Sequence, residues 1–315
     1  MIVFPIQALM DEQACYNYLL EVLHPQGMHC PQGHALPADQ APHDTHRAPL
    51  VDYRCKTCDA VFNIFTNTLW SKSRYSCATI VLILRGIAQG VPTAHLAQEL
   101  GIDRAHLLEL RHEIQGRMEQ RFPPPALTDP AVEADEMYQN AGEKGRKHDD
   151  PDDPPRCRAN KVRGHGTWDN DRPPVAGVVG RDSGLIGLQV CHHSDRETLQ
   201  PFVEEHTRDD AAVYTDEWQA YNHLDETGRI HASVCHTPGQ REWARDDEGD
   251  GVREVHCNTR EGIWTGLRNF LRLFRGVNKQ YLNQYSAVFQ VAHDFKAITP
   301  MLLRAMMLPF TFEAT

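Results

Sequence analysis

The chain has 315 residues, 41% apolar and 24% charged, which is the balance of a globular protein with room for about two domains. A net charge of −11 excludes a chain that is basic throughout, so any nucleic-acid contact must come from a local face. No apolar run nears the ~20 residues of a membrane span, since the best one, from Cys77, stops at Arg85. The first residues carry no basic segment of a signal peptide. Nine cysteines, an odd count, fit reduced cytoplasmic thiols better than a disulfide framework.

Three units are expected in chain order. Residues 1–75 open with a short helix over 11–23 and continue into a Cys/His-rich stretch. Cys55-x-x-Cys58 is a ligand pair, and Cys30 with His34 stands some 20 residues upstream. Two such pairs describe a zinc ribbon, in which two knuckles grip one tetrahedral ion. The first knuckle is altered, because Gly33 stands where a second cysteine is usual. His34 is the nearest substitute, and His29 is its rival. The expected set is Cys30, His34, Cys55 and Cys58 around one structural Zn²⁺, which would supply the folding energy that this apolar-poor stretch lacks. The bland alternative is a buried Cys30 beside a redox pair.

Residues 76–125 read as helices over 77–89, 93–100 and 104–118, ended by Pro123-Pro124-Pro125. The second and third flank Gly101 with apolar residues at Leu96, Ala97, Leu100, Leu108 and Leu110. That pattern fits a DNA-binding helix-turn-helix, with Asp103 capping the second helix and Arg104, His106 and Arg111 turned to DNA. A plain helical hairpin is the alternative.

Residues 126–315 read as α/β. Strands are expected over 131–138, 174–181 and 184–192, then a helix over 195–206, a strand over 211–215, another over 231–236, and helices over 258–274 and 278–297. That succession is the order of a ribonuclease-H-like fold. A Gly/Pro/charge-rich insertion at about 141–172 interrupts it and reads as flexible.

Three carboxylates occupy telling places: Asp135 on the first strand of this region, Asp216 just after a later strand, and Glu261 near the start of a helix. Two divalent cations need oxygen ligands from separate elements, with positions left open for phosphate. Arg268 follows Glu261 by two helical turns and so projects from nearly the same face, within reach of a phosphate. Trp264 shares that stripe and could stack on a frayed base or pack in the core, while His256 and Asn258 precede the helix as possible support. From residue 256 to 304 there are seven Lys and Arg against two acids, so Arg272, Arg275 and Lys279 are the expected phosphate-contacting face.

With ribbon, helix-turn-helix and carboxylates in this order, residues 15–290 resemble the zinc-ribbon DDE transposases of prokaryotic insertion sequences, in particular the ISXO2-like group. Tyr53-Arg54-Cys55 to Cys58 with Phe62, Tyr214-Thr215-Asp216-Glu217-Trp218, and His256-Cys257-Asn258-Thr259-Arg260-Glu261-Gly262-Ile263-Trp264 carry the likeness. The resemblance implies a ribonuclease-H-like catalytic domain with Asp135, Asp216 and Glu261 holding two Mg²⁺ or Mn²⁺, and Arg268 in the place of a basic residue of the family. It implies an enzyme that binds terminal inverted repeats of double-stranded DNA, cleaves them and joins them to target DNA. It further implies a homodimer or higher oligomer in the synaptic complex, at the nucleoid in the cytoplasm. The last helix departs from the family, with His293-Asp294-Phe295 at its end. A DNA-binding regulator with an inert core is the alternative, and so is a structure-selective nuclease.

Overall fold

The computed structural model describes residues 11–142, 151–152, 165–237 and 239–309. Most of the expected insertion, 143–150 and 153–164, lies outside them. The chain divides into two compact units: one of the residues up to Arg121 together with those from Phe295 on, the other of Phe122–Asp294. The three-way division expected from sequence differs from this at the C-terminus, where residues from Phe295 belong with the first unit.

In the first unit, α1 (Glu12–Leu23) is capped by Asp11, whose carboxylate accepts from the Ala14 amide at 3.1 Å. Two short strands, β1 (Tyr53–Arg54) and β2 (Val61–Phe62), pair antiparallel and were not foreseen. Helix α2 (Cys77–Ala88) buries Ile80, Val81, Ile83, Leu84 and Ile87, and Glu12 accepts from the Cys77 and Ala78 amides at its start. Helix α3 (Thr93–Leu100) ends at Gly101, whose φ of 64° makes the turn into α4 (Arg104–Arg121). The expected cap is present, the His106 amide donating to Asp103 Oδ1 at 2.9 Å. An unforeseen helix, α8 (Pro300–Met307), completes the unit. Its Met307 carbonyl accepts from the Leu69 amide (2.9 Å) and from Arg117 (3.1 Å), which ties the C-terminus here.

The second unit is a five-stranded mixed sheet with helices on both faces. Its strands are β3 (Ala131–Tyr138), β4 (Pro174–Gly180), β5 (Ile186–Val190), β6 (Ala212–Thr215) and β7 (Ile230–Ser233), in the order β5-β4-β3-β6-β7. The first three in sequence are antiparallel, and β6 and β7 run parallel to β3. Helix α5 (Arg196–His206), capped by Asp195, packs Leu199, Phe202 and Val203 on one face against Val132, Ala134, Ala176, Val178 and Val213. On the other face, α6 (Asn258–Arg272) and α7 (Lys279–Phe295) pack against Met137, Val175, Val179, Ile186 and Leu188. Helix α7 also covers the edge of the sheet. Asn283, Gln290 and Asp294 accept from the amides of Val190 (2.9 Å), Leu188 (3.0 Å) and Ile186 (3.1 Å), leaving no open ladder on β5 for another chain to extend. No helix of the described residues is long and apolar enough to cross a membrane.

Candidate active site

Alternation along β3 assigns its side chains to two faces. Val132 and Ala134 join the α5 core, and Met137 joins the α6 core. Glu133 and Asp135 are therefore on the α6 side with Met137, and Glu136 is on the opposite side, where Tyr221 donates to it at 2.8 Å and Tyr138 at 3.2 Å. The parallel register of β3 and β6 puts Glu133 beside Tyr214, and carried two residues on it brings Asp135 level with Asp216. Side chains at the same level of neighbouring strands point to one face. Asp135, midway along β3, and Asp216, one residue past the end of β6, thus come from neighbouring strands, and strand alternation gives both the α6 side.

Both carboxylates are half-buried. Burial, then the charge of Asp216, pushes Asp135 up to about 6, with Arg260 pulling the other way. Burial also raises Asp216, against a hydrogen bond from the Trp218 amide at 2.9 Å. Glu136 is pushed up to about 8 by burial and then by Asp135 and Asp216. Like charges that raise one another, partly withdrawn from water, fit the loading of a cation. Asp135 accepts from its neighbour's amide, Glu136 N, at 2.8 Å and from Trp264 Nε1 at 2.7 Å, so one oxygen faces α6.

Helix α6 is fixed to β3 by Glu133, whose side chain is fully buried. Glu133 accepts from the Arg260 amide (3.1 Å) and from Thr259 Oγ1 (3.0 Å), capping the helix from a strand. Its charge is met by Arg181 Nε at 3.0 Å. Arg181 also donates to the carbonyls of Glu254 (2.5 Å) and His256 (2.7 Å) and lies 4.0 Å over the Tyr214 ring, so it holds the chain entering α6. His256 Nδ1 accepts from the Asn258 amide at 3.4 Å and lies 3.3 Å from Glu133. Burial, with Arg181 second, lowers its pKa, in keeping with a nitrogen that accepts. His256 thus belongs to the helix start, and Asn258 is exposed beside it.

Glu261 is exposed on the first turn of α6, one turn before Trp264, which reaches Asp135. Among the described residues, no His, Cys, Asp or Glu joins Asp135 and Asp216 in a set of donors all within 4.8 Å of one another. Asp135 and Asp216 thus feel each other's charge, and Glu261 does not close on them. The oxygen donors, their burial and their mutual repulsion fit a hard divalent cation. Arg268 and Arg272 are exposed along α6, with Arg272 donating to Asn269 at 3.0 Å, and Arg275 is exposed at a left-handed φ of 53°. Arg104 and His106 are exposed at the start of α4, His106 stacking on Tyr75 at 6.1 Å.

Of the two alternatives for Trp264, the structure has the packed one: it is buried in the α6 core while donating to Asp135. Two expectations are corrected. Lys279 is buried, 3.2 Å from Asp171 and donating to the Trp168 carbonyl at 2.9 Å, so it is not a phosphate contact. Arg111 is fully buried and donates to Thr93 Oγ1 (2.8 Å) and the Val91 carbonyl, which locks α4 to the chain before α3 and removes it from any DNA face. Glu133, one of the acids that flank Asp135 in sequence, caps the helix, and Arg181 and Arg260 lie outside the residues expected for the site. Strand alternation was the signal for Glu133, two residues before Asp135.

The Cys/His residues converge in the first unit. One turn carries Cys30 and His34, closed by the Cys30 amide on the His34 carbonyl (2.9 Å) and by Gly33 at a φ of 82°. The β1–β2 turn carries Cys55 and Cys58. The four donor atoms lie within 4.8 Å of one another. Cys30 Sγ is 3.3 Å from His34 Nδ1 and 3.6 Å from Cys58 Sγ, and Cys55 Sγ is 3.7 Å from His34 Nδ1. A tetrahedral ion with Zn–S bonds of about 2.3 Å holds its sulfurs about 3.8 Å apart, so the set fits Zn²⁺. Hydrogen bonding from the Cys58 amide draws the Cys55 thiol down to about 6, toward the thiolate that a metal needs. The rival His29 is instead 3.2 Å from the Gly27 carbonyl.

The ISXO2-like transposase domain family matches residues 127–291, the whole sheet with α5, α6 and most of α7. A Halobacterium salinarum relative, an uncharacterized protein in transposable element ISH50, is 28% identical over 298 residues, covering 92% of this chain and 93% of its own. Among solved structures, the HTLV-2 integrase catalytic core domain in complex with magnesium aligns at a TM-score of 0.28 and 10% identity, over 53% of this chain and 86% of that one. The Mos1 strand transfer complex aligns at 0.22 and 10% identity, over 67% and 76%. The match to the domain family spans just over half of the sequence, and on it the chain belongs to the ISXO2-like transposases.

Proposed function

We propose that this transposase is a DDE enzyme with a ribonuclease-H-like core, which binds the terminal inverted repeats of its element, cleaves the strand ends and transfers them to target DNA. The observation that carries the reading is the approach of Asp135 on β3 and Asp216 just past its parallel neighbour β6, both half-buried, with the charge of Asp216 raising Asp135. The halobacterial relative, a protein in a transposable element, supports it.

Two Mg²⁺ or Mn²⁺, when bound, would activate the attacking oxygen and stabilise the leaving one. Asp135 from the middle of β3 and Asp216 from just past β6 would hold them, and Glu261 would complete the set from the first turn of α6. Glu133 keeps that turn against β3. Trp264 orients Asp135 through its indole N–H. Arg268, two turns beyond Glu261, would take a phosphate of the bound strand. Arg272 and Arg275 would extend that track, and Arg104 and His106 would read the repeat. One Zn²⁺ on Cys30, His34, Cys55 and Cys58 would hold the first unit as a zinc ribbon. Two or more copies would pair the two element ends, acting at the nucleoid.

The test is cleavage of a labelled duplex carrying the element's terminal repeat, with Mg²⁺ or Mn²⁺. Asp135→Asn, Asp216→Asn and Glu261→Gln should each reduce cleavage and strand transfer to background while repeat binding stays near wild type. Full activity in Glu261→Gln would remove it from the site. Specific binding by wild type with no cleavage would favour the inert regulator.

A further inference from the structure

Arg260 is fully buried one residue before Glu261. Its guanidinium lies 4.1 Å over the Trp264 ring and over Gly177, where a Cβ would overlap Nη2. Gly177 is the β4 partner of Asp135, so the guanidinium occupies the place beside Asp135 that a side chain would otherwise fill. Nη1 donates to the Val178 carbonyl at 3.4 Å, whereas Nε and Nη2 are buried with no hydrogen-bond partner. A buried guanidinium with two unmatched donors is costly as a packing element. The groups around it are acidic or polar: Asp135, Tyr221, Glu133 and Cys257. Glu133 already has Arg181, which leaves Asp135, itself raised by the charge of Asp216, as the carboxylate that Arg260 answers.

We propose that Arg260 is the internal counter-charge of the Asp135–Asp216 pair, a positioning residue that keeps the two carboxylates together before metal arrives and that opposes the cation once it binds. The inference rests on reading Asp135 and Asp216 as a cation-binding pair. Removing a unit positive charge beside a doubly charged cation strengthens its binding. Even through an effective dielectric of about 20, the effect supports at least about a tenfold change.

The experiment measures Mn²⁺ affinity by calorimetry, and thermal unfolding with chelator or Mn²⁺, on the full zinc-loaded chain. The chelator is chosen weak enough to spare zinc. Arg260→Met should bind Mn²⁺ about tenfold more tightly than wild type. It should melt lower than wild type without metal, with Mn²⁺ closing most of that gap. Arg260→Lys, which keeps the charge, should bind Mn²⁺ like wild type. Unchanged or weaker Mn²⁺ binding in Arg260→Met would overturn the proposal. So would an equal loss of melting temperature with and without Mn²⁺, which is the mark of packing alone, or a chain that fails to fold even with Mn²⁺. If Asp135→Asn and Asp216→Asn bind Mn²⁺ as wild type does, the cation site itself is wrong. If they lose it while Arg260→Met is unchanged, only the counter-charge is wrong.

Discussion

In the Cys/His cluster all four donors stand on two tight turns and already lie within bonding distance of a common centre. In the carboxylate site two donors share one sheet face, while the third waits, exposed, on a helix delivered by another part of the chain. The first arrangement is closed and leaves no position for a substrate, as a structural ion requires. The second is open, and its repulsion is contained by neighbours that are not ligands: Glu133, Arg181, Trp264 and Arg260. On the proposed reading, one cluster would need its metal to fold, and the other, built by the fold, would need its metal to act.

The sharpest way to break that contrast is metal removal. Stripping Zn²⁺ with a strong chelator, or replacing Cys55 with Ser, should unfold the region around residues 25–75, since apparent binding energies of structural zinc are on the order of 10 kcal/mol or more. Limited proteolysis and elemental analysis, with one Zn²⁺ per chain expected, would read this. A zinc-free chain with the same protease resistance would end the distinction. Withdrawal of Mg²⁺ should leave the second unit folded.

Next in size is Glu133→Gln. It leaves Arg181 uncompensated beside a helix start and should cost about 3–5 kcal/mol in the second unit. Glu261→Gln, exposed on the same helix, should change stability by under about 0.5 kcal/mol. Urea unfolding followed by tryptophan fluorescence separates the two, and similar costs would show that α6 is not held through Glu133.

The smallest effect concerns DNA. Neutralising Arg272 and Arg275 together should lower the salt slope of binding by about one for each phosphate that is no longer neutralised, equally for repeat and unrelated DNA. Changing Arg104 or His106 should instead reduce discrimination for the repeat. Lys279→Met should leave the slope unchanged, because that ammonium is committed to Asp171. Anisotropy across a salt series decides all three.

Much of the second unit was legible because each strand and helix has a clean period. Helix α6 starts at Asn258 as read, β3 spans its expected residues, and Asp195 caps α5. Arg111, Arg260 and Lys279 were misread or passed over for one shared reason: charge was taken to mean exposure. Arg111 lies four residues after Leu107 and three before Ile114, on the buried stripe of its helix. Arg260 is in step with Ile263, Trp264 and Leu267, and Lys279 with Leu282 and Tyr285. Residues 261, 265, 268 and 272 fall on the exposed side of the same helix. Helical position, read first, would have sorted these residues. The placing of α8 with the first unit had no signal, since such packing leaves no mark on local periodicity.

The cap that Glu133 provides also bears on how this chain can change over generations. Where α6 begins is specified by a contact with β3, two residues from Asp135, and not by the length of chain arriving from β7. Insertions or deletions in the exposed stretch between residues 246 and 253 can therefore accumulate without shifting Glu261 against the strand pair. A single-residue insertion between Glu133 and Asp135 would turn one of the two to the wrong face. Tolerance to length change should be high in that loop and absent across three consecutive residues of β3.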